Sequence, residues 1–158
     1  MKAFLQSPVG IIEIEESEGY ISSVRIVSSV PTHLTEKQEI NEVLNMAIQQ
    51  LNEYFARERK DFALPFKQEG TPFQKKAWSY LSTVPYGQTV SYKQVAEAIG
   101  SPKSCRAVGS ANGRNNIAII VPCHRVVNEG KGLGGYAYGL DVKKKLLELE
   151  SPNLFTNA

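Results

Sequence analysis

Residues 91–113 have the sequence SYKQVAEAIGSPKSCRAVGSANG, which contains the start and stop signals of two consecutive helices. Ser91 and Gln94 are spaced as a capping box, and Gly100 suits the left-handed conformation that commonly ends a helix. The second helix, predicted for KSCRAVGSANG, has small residues along much of its surface and ends at Gly113. Two short helices joined by a glycine-containing turn are typical of a helix-turn-helix that enters a nucleic-acid groove. Two packed helices with no such role are the alternative.

Another helix is predicted before this pair. Thr71 and Gln74 form a further capping box, with Pro72 at the first helical position. Proline fits there because the N–H group of that position has no partner within the helix. The apolar positions that follow at helical spacing are Ala77, Trp78 and Leu81. The sequence VPYG, residues 84–87, then predicts a turn before the helix pair.

The segment NIAIIVPCHRVV, residues 116–127, is predicted to be a buried strand interrupted by Pro122. It places Cys123 beside His124 and Arg125 in a chain that has two cysteines and two histidines. A thiol is a nucleophile as its thiolate, and a pKa of about 8.5 leaves it mostly protonated unless a base or a cation helps, so His124 is a candidate base. The alternatives are an inert buried cysteine, a hydrogen-bonded core imidazole and a surface arginine.

The first 66 residues are predicted to form a separate small domain. The runs GIIEIEE and YISSVRIV have strand composition and are separated by Glu18 and Gly19, which predicts a hairpin. After Pro31, the segment TEKQEINEVLNMAIQQLNEYFARER predicts a long amphipathic helix that opens with a capping box of Thr35 and Gln38. Its apolar positions are Leu44, Ile48, Leu51 and Phe55. The boundary is predicted near residue 66, after the proline-broken segment KDFALPF.

The chain beyond residue 127 predicts a loop and a closing helix. The loop NEGKGLGGYAYG is rich in glycine, and Gly134 and Gly135 permit unusual backbone angles beside Tyr136. The helix LDVKKKLLELE follows, and its apolar stripe consists of Val142, Leu146 and Leu149.

The composition, 42% hydrophobic and 22% charged, is that of a globular protein. We expect no membrane partner, because no stretch approaches the roughly 20 apolar residues of a membrane span. We also expect no secretory signal, because the N-terminus MKAFLQSPVG has one lysine and no apolar stretch of about 7 to 15 residues. Cys105 and Cys123 are too few for a disulfide framework, which favours thiols in a reducing compartment, so the expected location is cytoplasmic, with the nucleoid in a prokaryote. The cysteines and histidines lie in no zinc-binding spacing, and we expect no metal and no cofactor.

Charge is unevenly distributed along the chain. Residues 1–70 contain seven Lys and Arg against eleven Asp and Glu, a net charge of −4, whereas residues 71–158 contain eleven against five, a net charge of +6. This asymmetry favours a polyanionic partner for the C-terminal part, with a solvated surface as the alternative.

Five ordered motifs resemble the O6-alkylguanine-DNA alkyltransferase family, also called methylated-DNA-protein-cysteine methyltransferases. They are GTPFQKKAW, VPYGQTVSYKQVAEAIG, RAVGSANGRNN, VPCHRVV and GLGGYAYGL, and the match is continuous from about Gly70 to Glu150. Over residues 1–65 the similarity rests on the SPVGxI opening and the order of elements. The resemblance implies a fold class of α/β plus α, with a ribonuclease-H-like α/β support domain, residues 1–66, before a winged helix-turn-helix domain, residues 67–158.

The resemblance implies a repair protein that acts once. The damaged guanine is flipped out of the duplex, the thiolate attacks the alkyl carbon on O6, and the alkyl group stays on the cysteine. The expected partner is double-stranded DNA containing O6-alkylguanine, with O4-alkylthymine left open, and the protein is expected to be a monomer. The alternatives are a non-catalytic lesion sensor or DNA-binding regulator, and a cysteine hydrolase.

The resemblance also assigns the catalytic residues, position by position. Cys123 is the alkyl acceptor, and His124 is its base, acting through water. Glu150 orients His124, while Asn115 holds this network and the turn that shapes the pocket. Tyr92 is expected to donate a hydrogen bond towards the guanine and to crowd the phosphate that rotates on flipping.

Further positions are assigned to DNA and to the substrate pocket. Arg106 is expected to enter the base stack and fill the vacated space. The other DNA-binding residues are Tyr92, Ser110, Ala111 and Asn112, and the pocket is lined by Tyr136, Val126 and Val127. Cys105 is expected to be structural. The chain departs from the family pattern at Asn116, where proline is frequent, and at Ala137 and Tyr138 beside the pocket tyrosine.

Overall fold

A computed structural model of the chain describes residues 1–30, 40–130 and 132–152. The chain divides into two compact units, a first unit of Met1–Gln68 with Asn116–Ala118, and a second unit of Glu69–Asn115 with Ile119–Ala158. The sequence prediction of one boundary near residue 66 did not include the return of residues 116–118 to the first unit.

The first unit contains a three-stranded antiparallel sheet. Its strands are β1 (Lys2–Ser7), β2 (Gly10–Ser17) and β3 (Tyr20–Val27), in the order β1-β2-β3. The hairpin predicted at Glu18 and Gly19 is confirmed, and both residues have positive φ angles, 53° and 85°. Strand β1 was not predicted, because KAFLQS has no clear alternation of apolar and polar residues.

Helix α1 (Glu42–Phe55) packs against all three strands. It begins later than predicted, because Asn41 has an extended backbone and its side chain accepts a hydrogen bond from the Leu44 N–H at 2.9 Å. The predicted box of Thr35 and Gln38 lies outside the described residues. The buried face consists of Leu44, Ala47, Gln50, Leu51 and Tyr54, so the predicted stripe through Ile48 and Phe55 was displaced by one position.

Two short segments lie along the edge of β3. Phe66 pairs with Ile21, and Ile117 pairs with Val24, both in parallel orientation. The N–H group of Asn116 donates to Oε1 of Gln68 at 3.0 Å, and its carbonyl accepts from Val24 N at 2.8 Å. Proline has no N–H group and could not form the first of these bonds. Asn116, where the family frequently has proline, therefore makes a hydrogen bond to Gln68 that proline would lack.

The second unit contains the three predicted helices. They are α2 (Pro72–Leu81), α3 (Tyr92–Ala98) and α4 (Cys105–Gly113), and they pack against one another in pairs. Both predicted capping boxes, Thr71 with Gln74 and Ser91 with Gln94, are confirmed. Helix α4 begins at Cys105 rather than at Lys103, because Ser104 forms the N-cap, so the connection from α3 is longer than a tight turn.

The segment predicted as one buried strand is buried, but its prediction as a strand was wrong. Residues 118–120 form a turn, and Ile119 has a φ of 71°, which is rare for a β-branched residue. A 3₁₀ helix (Cys123–Arg125) follows, and only then comes strand β5 (Val126–Val127), parallel to β4 (Val90–Ser91). The Val121 carbonyl accepts hydrogen bonds from the Asn115 side chain and the Cys123 N–H, where in a sheet it would accept from a neighbouring strand.

Helix α5 (Leu140–Glu150) closes the second unit. Its buried residues are Lys143, Leu146, Leu147 and Glu150, so the predicted stripe through Val142 and Leu149 is wrong by one position at each end. Two charged residues therefore point into the interior of this unit. In the described part of the chain, no helix combines the length and the apolar character needed to cross a bilayer.

Candidate active site

Cys123 lies at the start of the 3₁₀ helix, and only 6% of its surface is exposed. Its sulfur accepts a hydrogen bond from Nδ2 of Asn115 at 3.3 Å, and the same amide nitrogen donates to the Val121 carbonyl at 2.9 Å. Burial raises the pKa of the Cys123 thiol, and the Asn115 hydrogen bond and the charge of Lys143 offset this only in part. The resting group is therefore a thiol that needs a base to react.

His124 is fully buried and belongs to the same helical turn as Cys123. Its Nε2 lies 2.6 Å from Oε2 of Glu150. Because an ionised carboxylate only accepts, Nε2 carries the proton and Nδ1 is left unprotonated, with no hydrogen-bond partner among the described residues. Burial lowers the pKa of His124 more than Glu150 raises it, which keeps the imidazole neutral and basic at Nδ1.

Arg125 is buried and forms a bidentate pair with Glu150. Its Nε donates to Oε1 at 2.8 Å and its Nη2 to Oε2 at 3.1 Å, while Nη1 donates to the Val84 carbonyl at 2.7 Å. Burial alone would raise the pKa of Glu150, but His124 and Arg125 together hold it well below its usual range. The carboxylate therefore stays ionised at neutral pH.

The alternative of Arg125 as a surface charge is thus wrong, and its structural role was missed from the sequence. A signal was available, since a permanent cation inside a run of buried apolar residues requires an anionic partner.

The predicted turn at residues 84–87 also contributes a hydrogen bond to Glu150. The N–H group of Gly87 donates to Oε1 of Glu150 at 3.2 Å.

A cavity of about 550 Å³ opens beside the sulfur. Helices α3 and α4, the 3₁₀ helix and the loop before α5 all contribute to its wall. Its lining residues include Tyr92, Cys105, Arg106, Asn112, Cys123 and Tyr136. Residues separated by more than forty positions in the sequence thus surround one thiol, and Cys105, expected to be structural, is among them.

The glycine-rich loop passes very close to Tyr92. The hydroxyl of Tyr92 lies 3.5 Å from the Gly135 carbonyl. Gly134 has a φ of 71°, and a Cβ atom placed there would lie 2.7 Å from the Tyr92 hydroxyl oxygen. Within the described residues the Tyr136 hydroxyl is buried without a hydrogen-bond partner, and burial raises its pKa well above the usual value. The cavity wall therefore presents a polar atom with unused hydrogen-bonding capacity.

Several residues that the resemblance assigns to the pocket or to DNA do not line this cavity. The described cavity wall includes neither Val126 nor Val127, which form β5. Ser110 is exposed on α4. Ala111 is only 1% exposed, and its carbonyl accepts from Trp78 Nε1 at 2.8 Å. Its assignment to DNA binding stays a prediction.

Lys143 is a second buried charge that sequence reasoning missed. Its ammonium group donates to the carbonyl oxygens of Val126 and Gly135. The signal was its spacing, because positions 143, 146, 147 and 150 share one face of a helix. Among the described residues, no three His, Cys, Asp or Glu side chains cluster as a metal site requires.

Comparison with known proteins matches nearly the whole chain to one family. Residues 72–152 match the profile of the 6-O-methylguanine DNA methyltransferase DNA binding domain, and residues 1–68 match that of its ribonuclease-like domain. The chain belongs to the 6-O-methylguanine DNA methyltransferase family. The resemblance noted from five sequence motifs is confirmed, as is the predicted fold class of a ribonuclease-like domain before a DNA-binding domain.

Relatives in this family align over almost their full length. The methylated-DNA–protein-cysteine methyltransferase of Methanosarcina acetivorans is 44% identical over 153 residues, covering 94% of this chain and 96% of the relative. The constitutive enzyme of the same name from Bacillus subtilis is also 44% identical, with 92% of both chains covered. A crystal structure of the Mycobacterium tuberculosis family member in complex with DNA has a TM-score of 0.84 at 40% identity, covering 94% of this chain and 91% of that one.

Proposed function

We propose that this chain repairs DNA by transferring the alkyl group of O6-alkylguanine in duplex DNA to Cys123, irreversibly and once per molecule. The observation that carries the proposal is the thiol of Cys123 in the wall of a cavity of about 550 Å³, with the next residue, His124, buried and paired with Glu150. Family membership and the names of the relatives support the same reaction.

The proposed reaction is a displacement at saturated carbon. The sulfur of Cys123 forms a bond to the alkyl carbon as the bond from that carbon to O6 breaks, and the electron pair stays with the guanine oxygen. The thiol proton passes to Nδ1 of His124, through a water molecule as the family resemblance implies. Tyr92 donates a hydrogen bond towards the departing guanine. The product is a thioether, which has no route back to a thiol, so turnover ends there.

The buried charges prepare His124 for this role. Glu150 fixes the tautomer with Nδ1 unprotonated and stabilises the imidazolium that forms when the proton arrives. Arg125 holds the carboxylate in one orientation through two parallel bonds. Asn115 donates to the sulfur and so supports the thiolate as charge develops on it.

The sulfur of Cys123 is buried in the wall of a cavity and is not presented on a flat surface. A damaged base must therefore leave the duplex to reach the sulfur. Arg106 lines this cavity from the first turn of α4 and is exposed, as a side chain that replaces the flipped base in the stack must be. Asn112 and Tyr92 lie in the same wall. The net charge of +6 on residues 71–158 favours the DNA backbone.

A duplex DNA substrate also indicates where the protein acts. We expect it in the compartment that contains the chromosome, which in a prokaryote is the cytoplasm with its nucleoid.

The test is mass spectrometry of the intact protein and its peptides after incubation with a slight excess of duplex carrying one O6-methylguanine. We expect a gain of one methyl group per molecule, located on Cys123. Cys105→Ala is the matched control and should gain the same mass, because it leaves the proposed acceptor in place. Cys123→Ala should gain none yet still bind the lesion duplex. Wild-type protein that binds the duplex without gaining mass would be a lesion sensor instead.

A further inference from the structure

Asn112 is a half-buried polar residue on the side of α4 that lines the cavity. Cys105, Gly109 and Asn112 all belong to the cavity wall, and their spacing places them in one stripe along the helix. The side-chain Oδ1 of Asn112 is buried, and among the described residues it has no hydrogen-bond partner. A buried amide oxygen without a partner is unfavourable, so its presence in a binding cavity requires an explanation.

Asn112 lies at the end of the cavity that is close to the sulfur. Arg106 is in the first turn of α4, and Asn112 follows almost two turns later, about 9 Å along the helix at about 1.5 Å per residue. The Asn112 carbonyl accepts from the Asn115 N–H at 3.2 Å, and the Asn115 side chain donates to the sulfur of Cys123 at 3.3 Å. A base that enters beside Arg106 therefore presents to Asn112 the group that the sulfur attacks, which is the O6 substituent.

The loop before α5 contributes a second such polar atom to the cavity wall. The hydroxyl of Tyr136 is buried and has no hydrogen-bond partner within the described part of the chain. Burial raises the pKa of Tyr136 well above its usual value, so this hydroxyl is protonated at neutral pH and can donate as well as accept. A methyl group on O6 can pair with neither Asn112 nor Tyr136.

We propose that Asn112 and Tyr136 form a polar subsite for the O6 substituent, which selects alkyl groups that carry a hydroxyl over apolar groups of equal size. The simplest such group is 2-hydroxyethyl. A hydroxyl both donates and accepts, so it pairs with either end of the Asn112 amide and with the Tyr136 hydroxyl. This inference rests on the proposed function, because a substituent reaches the subsite only when its guanine occupies the cavity.

The cavity has room for a substituent larger than methyl. Its volume is about 550 Å³, and Gly109, Gly113 and Ala137 in its wall are all small. A Cβ at Gly109 would have its nearest neighbour at 3.9 Å, and one at Gly113 would have none within 4 Å. A propyl group, which has as many heavy atoms as 2-hydroxyethyl, would therefore fit as well. Size does not distinguish these two substituents, so hydrogen bonding decides between them.

The subsite changes the choice of substituent and not the reaction. The sulfur of Cys123 still forms a bond to the carbon attached to O6 as the bond from that carbon to O6 breaks, and the electron pair stays on the guanine oxygen. The hydroxyl of the substituent takes no part in this exchange and remains on the thioether product.

The first experiment is a competition between two duplexes of one sequence, one carrying O6-(2-hydroxyethyl)guanine and the other O6-propylguanine. Both are in excess over the protein, and peptide mass spectrometry measures the ratio of hydroxyethyl to propyl groups on Cys123. Asn112→Leu removes the amide and keeps a similar shape. We expect it to lower this ratio about threefold to tenfold from the wild-type value, the effect of one hydrogen bond. An unchanged ratio in folded Asn112→Leu overturns the proposal.

The ratio separates a substituent contact from a DNA contact. If Asn112 contacted only the duplex, both reactions would slow equally and the ratio would stay at the wild-type value. Ser110→Ala, an exposed position on the same helix, is the matched control and should keep that ratio whatever its effect on DNA affinity. Tyr136→Phe removes only the hydroxyl and should lower the ratio in the same direction as Asn112→Leu. A wild-type ratio in Tyr136→Phe would exclude the tyrosine from the subsite.

The second experiment uses the wild type alone, so it is informative even if the variants do not fold. The concentrations of free O6-(2-hydroxyethyl)guanine and free O6-propylguanine that give half-maximal alkylation of Cys123 are compared. We expect the hydroxyethyl base to need several times less, although propyl is the more apolar group. An equal or lower value for the propyl base would show that the subsite is apolar. Absence of any mass gain, from these bases and from an O6-methylguanine duplex, would instead contradict the proposed function.

Discussion

The β2–β3 hairpin and the segment around Cys123 are both buried, but different interactions stabilise them. In the hairpin the fully buried side chains are apolar, with Ile12 and Ile14 at zero exposure, and the buried Glu13 pairs with Lys2 and Arg25, which are about half exposed. Around the cysteine, the buried groups include His124 and Arg125, both bonded to one carboxylate. We expect the stability of the hairpin to change little when a surface partner is lost, whereas the segment around Cys123 depends on every member of its hydrogen-bond network.

The largest effect expected from this difference concerns one arginine in each region. Arg125→Met leaves the buried Glu150 without its bidentate partner, and we expect a loss of about 3–5 kcal/mol in the free energy of unfolding. Arg25→Met removes a half-exposed partner of Glu13, for which about 0–1 kcal/mol is expected. Urea denaturation followed by circular dichroism, and by Trp78 fluorescence for the second unit, measures both. Equal losses would mean that the Cys123 region is stabilised as the hairpin is.

A smaller contrast is expected from one glycine in each region. Gly134 and Gly19 both have positive φ angles, but a Cβ at Gly134 meets Tyr92 at 2.7 Å, whereas nothing lies within 4 Å of one at Gly19. Gly19→Ala should cost about 1 kcal/mol for the backbone alone. Gly134→Ala should cost about 1–3 kcal/mol and should also slow alkyl transfer, because Tyr92 must move.

The measurements are thermal unfolding of both variants and single-turnover transfer from an O6-methylguanine duplex. Gly19→Ala serves as the control for the backbone cost and should transfer at the wild-type rate. Normal transfer in a Gly134→Ala variant would show that the close approach to Tyr92 has no role in the reaction.

The smallest effect expected is the pH dependence contributed by His124. Its pKa is lowered by burial in the folded state, so between the unfolded value of about 6.5 and that lowered value the unfolded chain binds the proton first. Stability therefore falls as the pH drops through this window. We expect the wild type to lose about 1 kcal/mol more than His124→Gln between pH 7.5 and 5.5.

Glu150 makes no contribution in that window. Its pKa is depressed, so its stabilisation is present above the unfolded value of about 4.3 and is lost only as the pH falls further, through the folded value. Urea titrations at both pH values measure the difference between the wild type and His124→Gln. Parallel losses in the two proteins would indicate that the imidazole is protonated in the folded state.

Much of the fold was predictable because local signals specify it. The hairpin at Glu18 and Gly19 and the capping boxes at Thr71 and Ser91 are each decided by a few neighbouring residues, and all three are confirmed. Predictions failed where a contact with a distant segment decides. Ile117, expected in a strand that leads to Cys123, pairs with Val24 of β3, and residues 118–120 then form a turn.

For the candidate site, the sequence motifs indicated Cys123, His124 and Glu150 but not the charges that support them. Both Arg125 and Lys143 are common surface residue types, and nothing in their spacing names a partner. Their burial depends on the shared Glu150 carboxylate for the arginine and on two carbonyl oxygens for the lysine.

By itself, the sequence determined the family, the order of the helices, the β2–β3 hairpin, and the thiol with an adjacent histidine. These properties follow from short-range periodicity, capping and motif spacing. The tertiary structure alone decided which nitrogen of His124 carries the proton, which cations are buried, and how closely the glycine-rich loop approaches Tyr92. The physical reason is that such charges and tautomers are set by partners within about 3 Å in space that lie 8 to 41 positions away along the chain.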